Sequence, residues 1–268
     1  MSATQSVCLS GDGRAMASGS TTGALRMWNI TSGTENAPFR PQYHSVQSLA
    51  FSPDSKIVAS GLANNTIKLW EVKSRRCLRT LEGHSDLVYS VVFSHDSKLL
   101  ASASGDQSAK VWDVNSGLCL QSLEGHDDSV KSVAFSHDSR SLVSASLDTT
   151  VKMWDITTGS MQQAFTGHSG PIGSVAFSWN DQIVASGSTD GTIKLWEIST
   201  GSGQQTLMGH FYPIQSVTFS RDDQTLLSGS EDGDVKLWDI TTGEEQQTIG
   251  GYFYSIQNTP ISGGQSWA

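Results

Sequence analysis

The chain repeats a group of residues that hydrolases use for catalysis: a histidine, a serine and an aspartate, here followed by a tryptophan. In a hydrolase the first three would act as base, nucleophile and orienting acid. The group occurs four times at fixed spacing, as His84, Ser102, Asp106 and Trp112; His126, Ser144, Asp148 and Trp154; His168, Ser186, Asp190 and Trp196; and His210, Ser228, Asp232 and Trp238. Catalysis requires one pocket, whereas a structural device is required once in every repeated unit. We therefore predict four buried polar relays and no catalytic residues.

The choice of serine in each relay rests on the regularity of two columns. A second column of serines lies two residues further along the same predicted strands, at Ser104, Ser146, Ser188 and Ser230. We prefer the Ser102 column because it holds serine in all six repeats, whereas the other column has Leu62 in the second repeat.

The first two repeats carry incomplete groups. The first has Thr22 in the aspartate position and no Gly-His dipeptide, and the second has Asn64 in that position. The histidine of the second repeat, His44, lies two residues out of phase, after an insertion at Pro38-Phe39-Arg40-Pro41. We predict that these two repeats are the least stable part of the molecule.

The secondary-structure elements that position these groups recur with a period of 42 residues. The period is seen in six tryptophans that are each 42 residues apart, at positions 28, 70, 112, 154, 196 and 238. Within one period, residues 83–124, four short runs of apolar and β-branched residues alternate with turn residues, as in an antiparallel meander. A period of about 40–45 residues with four strands is typical of a propeller blade. One such sheet cannot bury both of its faces, so neighbouring blades must stack around an axis.

We therefore predict an all-β fold, a β-propeller of six four-stranded antiparallel blades, with an incomplete seven-bladed propeller as the alternative. The predicted domain spans residues 1–250, with blades at approximately 3–40, 41–82, 83–124, 125–166, 167–208 and 209–250. Residues 251–268 are a C-terminal tail or the start of a further blade. We prefer a closed six-bladed arrangement, because Pro260 would weaken a competing tail strand.

These residues closely resemble the WD-repeat family, whose signature is a Gly-His before the first strand and a Trp-Asp at the end of the third. The first element occurs at Gly83-His84, Gly125-His126, Gly167-His168 and Gly209-His210. The second occurs at Trp112-Asp113, Trp154-Asp155 and Trp238-Asp239, with Trp70-Glu71 and Trp196-Glu197 as acidic variants and Trp28-Asn29 as a departure. The resemblance implies a non-catalytic scaffold that binds proteins or peptides.

The resemblance also implies where partners bind: the end of the propeller that carries the Gly-His loops and the turns between second and third strands, called the top face below. The partner-binding residues predicted there are Gln47, Leu87, Tyr89, Ser129, Lys131, Leu147, Pro171, Thr189, Tyr212, Pro213, Gln215 and Glu231. We expect no cofactor, no metal and no small-molecule substrate. His95 and His137 share a column in predicted turns, where turn chemistry explains them better than metal binding.

Composition narrows the remaining possibilities. With 37% hydrophobic and 16% charged residues the chain is neither disordered nor a membrane protein. Its net charge of −9 opposes nucleic-acid binding, and the basic stretch Lys73, Arg75, Arg76 and Arg79 is better read as a solvated loop. Three cysteines without a C-x-x-C motif favour a reduced compartment, the cytoplasm with the nucleus as the alternative.

Two other functions stay open. The high similarity of the repeats resembles the WD arrays of fungal and bacterial NACHT-type signalling ATPases, so the chain could be a sensor propeller of such a protein. A propeller hydrolase with a single top-face site, or an RNA-binding scaffold, is the less favoured alternative.

Overall fold

The computed structural model describes residues 3–35, 39 and 43–250, which form 23 β-strands in six antiparallel sheets. Among these residues no helix has the length and apolar character needed to cross a bilayer. The predicted fold class, a six-bladed β-propeller, is confirmed. The predicted tail or further blade at 251–268 lies outside the described residues.

Each sheet is a meander in which strands pair in chain order. The first blade contains β1 (Thr4–Leu9), β2 (Ala15–Ser20) and β3 (Leu25–Asn29), and the second contains β4 (Val46–Phe51), β5 (Ile57–Leu62), β6 (Ile67–Glu71) and β7 (Cys77–Leu81). The third contains β8 (Val88–Phe93), β9 (Leu99–Ser104), β10 (Ala109–Asp113) and β11 (Cys119–Leu123), and the fourth contains β12 (Val130–Phe135), β13 (Ser141–Ser146), β14 (Val151–Asp155) and β15 (Met161–Phe165). The fifth contains β16 (Ile172–Phe177), β17 (Ile183–Ser188), β18 (Thr192–Glu197) and β19 (Gly203–Met208), and the sixth contains β20 (Ile214–Phe219), β21 (Thr225–Ser230), β22 (Val235–Asp239) and β23 (Glu245–Ile249).

The first blade has three described strands, and a bridge between Trp28 and Glu35 marks where its fourth begins. This bridge repeats the Trp70–Cys77 pairing of the second blade one period earlier. Phe39 is therefore in register and occupies the position that Leu81 has in the second blade. Phe39 is buried at the normal position of a fourth-strand residue. The prediction that residues 38–41 are an insertion is therefore wrong for Phe39.

Each blade has two apolar faces, and the core of the molecule lies between blades. We call the face toward the following blade the leading face and the face toward the preceding blade the trailing face. Five apolar clusters fill the spaces between consecutive blades, from the first and second to the fifth and sixth. In the last of them, Leu195 and Leu207 of the fifth blade pack against Val217 and Trp238 of the sixth.

We call the packed boundary between two consecutive blades a seam. Two kinds of hydrogen bond reinforce the five seams. In four of them a first-strand serine accepts a backbone N–H from the next blade, as Ser6 does from Leu49 at 3.0 Å. At the end of the propeller opposite the top face, a turn residue with positive φ accepts a backbone N–H from the preceding blade. These acceptors are Ser55, Ser97, Ser139, Asp181 and Asp223.

The seam from the sixth blade back to the first is different. In the described part of the chain no apolar cluster joins these two blades, and β20 and β1 do not pack together as β16 and β20 do. The first blade also has Gly13 at the turn position that supplies an acceptor in the other five blades, so it offers no side chain for this bond. Among the described residues, apolar clusters thus join consecutive blades at five boundaries, and whether the ring closes between the sixth and first blades stays a prediction.

Candidate functional site

The four residues of each repeated group lie together at the buried upper part of a blade. In the third blade, Trp112 Nε1 donates to Ser102 Oγ at 2.8 Å, and Ser102 Oγ lies 2.7 Å from His84 Nε2. His84 Nδ1 lies 2.7 Å from Asp106 Oδ2. Since an ionised carboxylate can only accept, Nδ1 carries the proton of a neutral imidazole, and Nε2 accepts the serine proton. The relay therefore runs in one direction, from tryptophan to aspartate.

The same geometry recurs in the fourth and fifth blades. His126 Nδ1 lies 2.7 Å from Asp148 Oδ2, and His168 Nδ1 lies 2.9 Å from Asp190 Oδ2. The remaining relay contacts, Trp154–Ser144–His126 and Trp196–Ser186–His168, are 2.7–2.8 Å long. The second serine column does something else, because Ser104, Ser146 and Ser188 donate to backbone carbonyls of the Gly-His loops at 2.9 Å.

The relay serines are poorly placed to act as nucleophiles. Ser102, Ser144 and Ser186 are fully buried, and each accepts an indole N–H while its own proton is held by an imidazole. A catalytic serine must reach a substrate carbonyl. The geometry satisfies buried polar groups instead, and it ties the Gly-His loop to the second and third strands.

A fifth relay member was missed from the sequence. In the third to fifth blades a hydroxyl two residues after the aspartate donates to its second oxygen, with distances of 2.7, 2.7 and 2.6 Å from Ser108, Thr150 and Thr192. The sequence contains this signal, because the position two residues after the aspartate is serine or threonine in the third, fourth and fifth repeats. In the sixth blade this position is Asp234, which offers no hydroxyl and whose charge repels Asp232.

The relay of the sixth blade is correspondingly looser. His210 Nε2 still lies 2.7 Å from Ser228 Oγ, and Trp238 donates to the same oxygen at 2.8 Å. The His210 Nδ1 to Asp232 Oδ2 distance is 3.8 Å, so Nδ1 has no hydrogen-bond partner among the described residues. Because the serine end of the relay is unchanged, the change is confined to the turn that carries Asp232 and Asp234.

The relay also sets the charge state of its members. Burial alone would raise the pKa of the Asp106 carboxyl, but the hydrogen bonds from His84 and Ser108 outweigh it and hold that pKa far below its usual range. Burial lowers the pKa of the His126 imidazole, although the Asp148 carboxylate partly opposes the shift. A neutral His126 imidazole beside an ionised Asp148 carboxylate agrees with these pKa shifts and with the 2.7 Å contact between them.

The two N-terminal blades lack this relay. Trp70 donates to Ser60 Oγ at 3.0 Å, and Phe39 packs edge-on against the Trp70 ring at a centroid distance of 5.8 Å. His44 is exposed. The prediction that these blades are the least stable stays a prediction.

In the structure, top-face residues of the second-to-third-strand turns are hydrogen-bonded to residues of the Gly-His loops. Backbone bonds from the second-to-third-strand turns to the Gly-His loops join Gly105 to Leu87, Leu147 to Ser129, Thr189 to Pro171 and Glu231 to Pro213. Several predicted residues make side-chain contacts. Gln47 donates to Ser45 at 3.0 Å, and Gln215 donates to Glu231 at 2.7 Å. Lys131 Nζ lies 3.3 Å from the centre of the Tyr89 ring, and burial lowers the pKa of this lysine.

The most exposed apolar group of this face belongs to the sixth blade. Phe211 is 93% exposed and Tyr212 is 56% exposed, next to Pro213 in the loop after His210. The four acidic residues Asp86, Asp127, Asp128 and Glu231 are exposed on the same loops and turns. The top face thus offers aromatic anchors with acidic neighbours.

The opposite end of the propeller carries a stack of planar side chains. The His95 and His137 rings lie 4.1 Å apart, and His137 lies 4.1 Å from Trp179 in the next blade. No group of three or more potential metal ligands is found among the described residues. The stack is a packing feature of adjacent turns.

Comparison with known families agrees with this architecture. Residues 1–166 match the model described as the WDR36/Utp21 second beta-propeller domain, and residues 159–197 and 201–239 each match the WD domain, G-beta repeat. No curated protein matches the chain. These matches do not bear on the likeness to signalling ATPases, which stays a prediction. Because the first match alone covers more than half of the chain, and the two repeat matches fall on the fifth and sixth blades, the chain belongs to the WD-repeat family of β-propellers.

Proposed function

We propose that this chain is a non-catalytic scaffold whose protein partners bind to its top face. WD-repeat propellers are generally protein-interaction scaffolds. The observation that supports the face is the exposure of Phe211 and Tyr212 on a loop held by the relay of the sixth blade. Exposed aromatic residues on a fixed framework are typical anchors of protein interfaces.

The chemistry of the face favours a protein or peptide over a small molecule. Loops of different blades differ here, while the strands beneath them repeat. A partner segment would place an apolar side chain against Phe211 or Tyr212 and basic groups near Asp86, Asp127 or Asp128. The half-buried Lys131–Tyr89 pair adds a cation–aromatic contact between the third and fourth blades.

A hydrolytic function has less support. The serines of the four histidine-bearing blades are hydrogen-bonded to tryptophan, and the imidazoles beside them are at most 1% exposed. Within this proposal the chain works in a reducing compartment, the cytoplasm or nucleus, which is consistent with its three free cysteines.

Capture of partners by the whole chain, with identification by mass spectrometry, tests the proposal. The test variant is Phe211→Ala with Tyr212→Ala, and the matched control is Leu118→Ala with Leu120→Ala, which alters two exposed apolar residues away from the top face. We expect the test variant to lose a defined set of proteins that the control retains. If both variants retain the same set, the top face is not the docking surface.

A further inference from the structure

Arg79, on the fourth strand of the second blade, is an exception among the residues at its position of the repeat. The third to sixth blades all have glutamine there, at positions 121, 163, 205 and 247. Gln121 Nε2 donates to the backbone carbonyl of Thr157 in the next blade at 2.9 Å. The Gln163 amide, in the orientation that satisfies both of its ends, donates to the Ile198 carbonyl at 3.2 Å. In these two seams a neutral glutamine therefore bridges two blades.

Arg79 makes no such bridge. It lies on the leading face, where its stem packs against the third blade, since a Cβ atom added to Gly117 would lie 3.0 Å from Arg79 Cδ. Among the described residues its guanidinium has no hydrogen bond, and no carboxylate lies within 4.0 Å of it. Asp113 is held by the N–H and the hydroxyl of Ser116, both at 2.6 Å. These bonds lower the pKa of the Asp113 carboxyl, and the charge of Arg79 adds to the shift from a longer distance.

A groove of about 660 Å³ lies beside Arg79, between the second and third blades. Leu78, which is 48% exposed, forms an apolar wall of this groove together with Ile57 and Val114. Asn115 also lines the groove and is the equivalent of Thr157 one period earlier. The groove therefore occupies the place where a glutamine bridges the next seam.

The segment that carries Arg79 is a local reversal of charge in a chain of net charge −9. Lys56 and Lys98, in the turns nearby, are each paired with an aspartate of their own turn, at 3.1 and 3.3 Å. Lys73, Arg75 and Arg76 precede Arg79, and no described carboxylate lies within 4.0 Å of any of them. The equivalent turns of the other five blades contain no basic residue.

Arg75 shows that this charge has a backbone cost. Its φ is 57°, in the left-handed region that strains every residue except glycine. The other five blades have glycine at this position, with φ between 66° and 79°, as Gly33, Gly117, Gly159, Gly201 and Gly243. A strained residue in place of glycine indicates a role other than stability.

No segment outside the described structure can neutralise these arginines with an acidic side chain. The segments concerned are residues 1–2, 36–38, 40–42 and 251–268, and none of them contains aspartate or glutamate. In this structure, a carboxylate side chain that contacts Arg79 must therefore come from outside these 268 residues.

We propose that this groove is a second docking site, whose occupant is an acidic peptide segment of a partner protein. One carboxylate of the segment binds the Arg79 guanidinium, in the two-pronged geometry that this pair of groups favours. An aliphatic side chain of the segment packs against Leu78, and further carboxylates lie toward Arg75 and Arg76. The groove lies at the end opposite the top face, so the inference does not rest on the function proposed above.

Charge and shape favour a peptide over a nucleic acid. A nucleic acid presents phosphates at regular intervals and would meet the carboxylate of Asp113 in the groove as well as the arginine. An apolar wall adds little to the binding of a phosphate backbone. A peptide places one carboxylate at Arg79 and an apolar side chain at Leu78.

The experiment measures the binding of labelled peptides to the whole chain by fluorescence anisotropy. The probe is the fluorescein-labelled peptide Glu-Asp-Leu-Glu-Asp-Glu, and two comparison peptides replace its acids with the amides or its leucine with serine. A short single-stranded RNA of uridines is the nucleic-acid probe. We expect the acidic peptide to bind, with a loss of about tenfold or more for the amide peptide and about threefold for the serine peptide.

Two variants give the second blade residues that other blades already carry, so both should fold as the parent does. Arg79→Gln introduces the residue that stands at Gln121 and should weaken peptide binding by about tenfold or more. Leu78→Gln introduces the residue that stands at Gln162 and should weaken it by about threefold. Arg140→Gln, the matched control, removes the same charge from an exposed position of the fourth blade and should leave the affinity unchanged.

Arg75→Gly separates binding from stability. Because glycine relieves the left-handed backbone, the variant should raise the melting temperature while it weakens peptide binding. A lower melting temperature would show that the basic turn serves the fold and would count against the proposal.

Three other results would refute it: no binding of the acidic peptide, tighter binding of the RNA than of the peptide, or equal losses for Arg79→Gln and Arg140→Gln. The top-face variant Phe211→Ala with Tyr212→Ala should bind the peptide as the parent does. A failure of this proposal is thereby distinguished from a failure of the function proposed for the top face.

Discussion

The fourth and sixth blades share one framework but differ in their surroundings. In the fourth, Val143 and Phe165 are covered by the next blade, and the His126–Asp148 contact measures 2.7 Å. In the sixth, Ile249 is exposed, and the His210–Asp232 contact lengthens to 3.8 Å. Repeated sequence therefore does not make positions equivalent. One turn residue and the presence of a neighbour decide how tightly a blade is held.

Replacing His126 with alanine should cause the largest loss of stability. The change strands the Ser144 hydroxyl and the Asp148 carboxylate, and we expect the free energy of unfolding to fall by about 3–5 kcal/mol. His210→Ala should cost about 1 kcal/mol less, because Nδ1 of His210 has no hydrogen bond to lose. Urea denaturation of the two variants measures the difference.

His44→Ala is the control for this pair, since His44 is exposed and belongs to no relay. Its effect should stay within about 0.5 kcal/mol. Equal losses for His126→Ala and His210→Ala would show that the longer contact in the sixth blade has no energetic meaning.

Replacing a glycine with a larger residue should lower stability where a neighbouring blade covers the face and should have little effect where no blade covers it. Gly187→Val places a branched side chain against Ile214 in the seam between the fifth and sixth blades, and overpacking of this kind costs about 1–3 kcal/mol. A Cβ atom added to Gly229 meets no described residue within 4 Å, so Gly229→Val should change stability by no more than about 0.5 kcal/mol. Thermal and urea unfolding of both variants check this. A large loss for Gly229→Val would mean that a neighbour covers the sixth blade in solution.

Acidification should weaken the fourth blade through two groups. Burial lowers the pKa of the His126 imidazole. Burial opposes a low pKa for Asp148, but the hydrogen bonds from Thr150 and His126 prevail and lower it. Both folded-state pKa values lie below the unfolded ones, so the folded state binds fewer protons and stability falls as pH falls.

The loss should begin near the unfolded histidine pKa of about 6.5 and deepen below about 4, with no loss above about pH 7. Melting temperatures recorded across this range test the expectation. A melting temperature that stays constant from about pH 7 to about pH 5 would contradict the neutral-imidazole assignment.

The smallest expected effect is a gain. Asp234→Thr restores the hydroxyl that donates to the relay aspartate in the fifth blade and removes a charge beside Asp232. We expect about 0.5–1.5 kcal/mol of added stability, measured by urea denaturation. The reciprocal change, Thr192→Asp, should destabilise the fifth blade by a similar amount. A loss for Asp234→Thr would mean that the hydroxyl does not control the His210–Asp232 distance.

Regular spacing made the framework and the relay membership predictable. Six tryptophans at one interval define the strands, and the unbroken serine column singled out Ser102 over Ser104. Phe39 was misjudged because nearby prolines looked like an insertion, although counting back from Leu81 places it in register.

The partial exposure of Leu237 among the described residues follows only from the alternative prediction, an incomplete seven-bladed propeller. Leu237 and Leu195 are the same residue at the same position of the repeat, so their sequence context is alike. Their burial differs because it depends on the number of blades and the curvature of their arrangement, which are properties of the whole molecule. The repeat predicts which residues lie on each face of a blade, but it does not predict whether another blade covers that face.

The hydrogen bonds accepted by turn residues at the end opposite the top face all link a blade to the one before it, so they give the molecule a direction in its resistance to force. Each one fastens a blade to the blade before it, as Asp223 holds the N–H of Trp179. Under a pulling force between Thr4 and Ile249, the chain would yield first at the first or sixth blade, each of which packs against one neighbour among the described residues, and then lose blades in order. Each step would release the same 42 residues, or about 140–150 Å of extended chain. The repeat length would then be readable as the spacing of peaks in a force–extension trace.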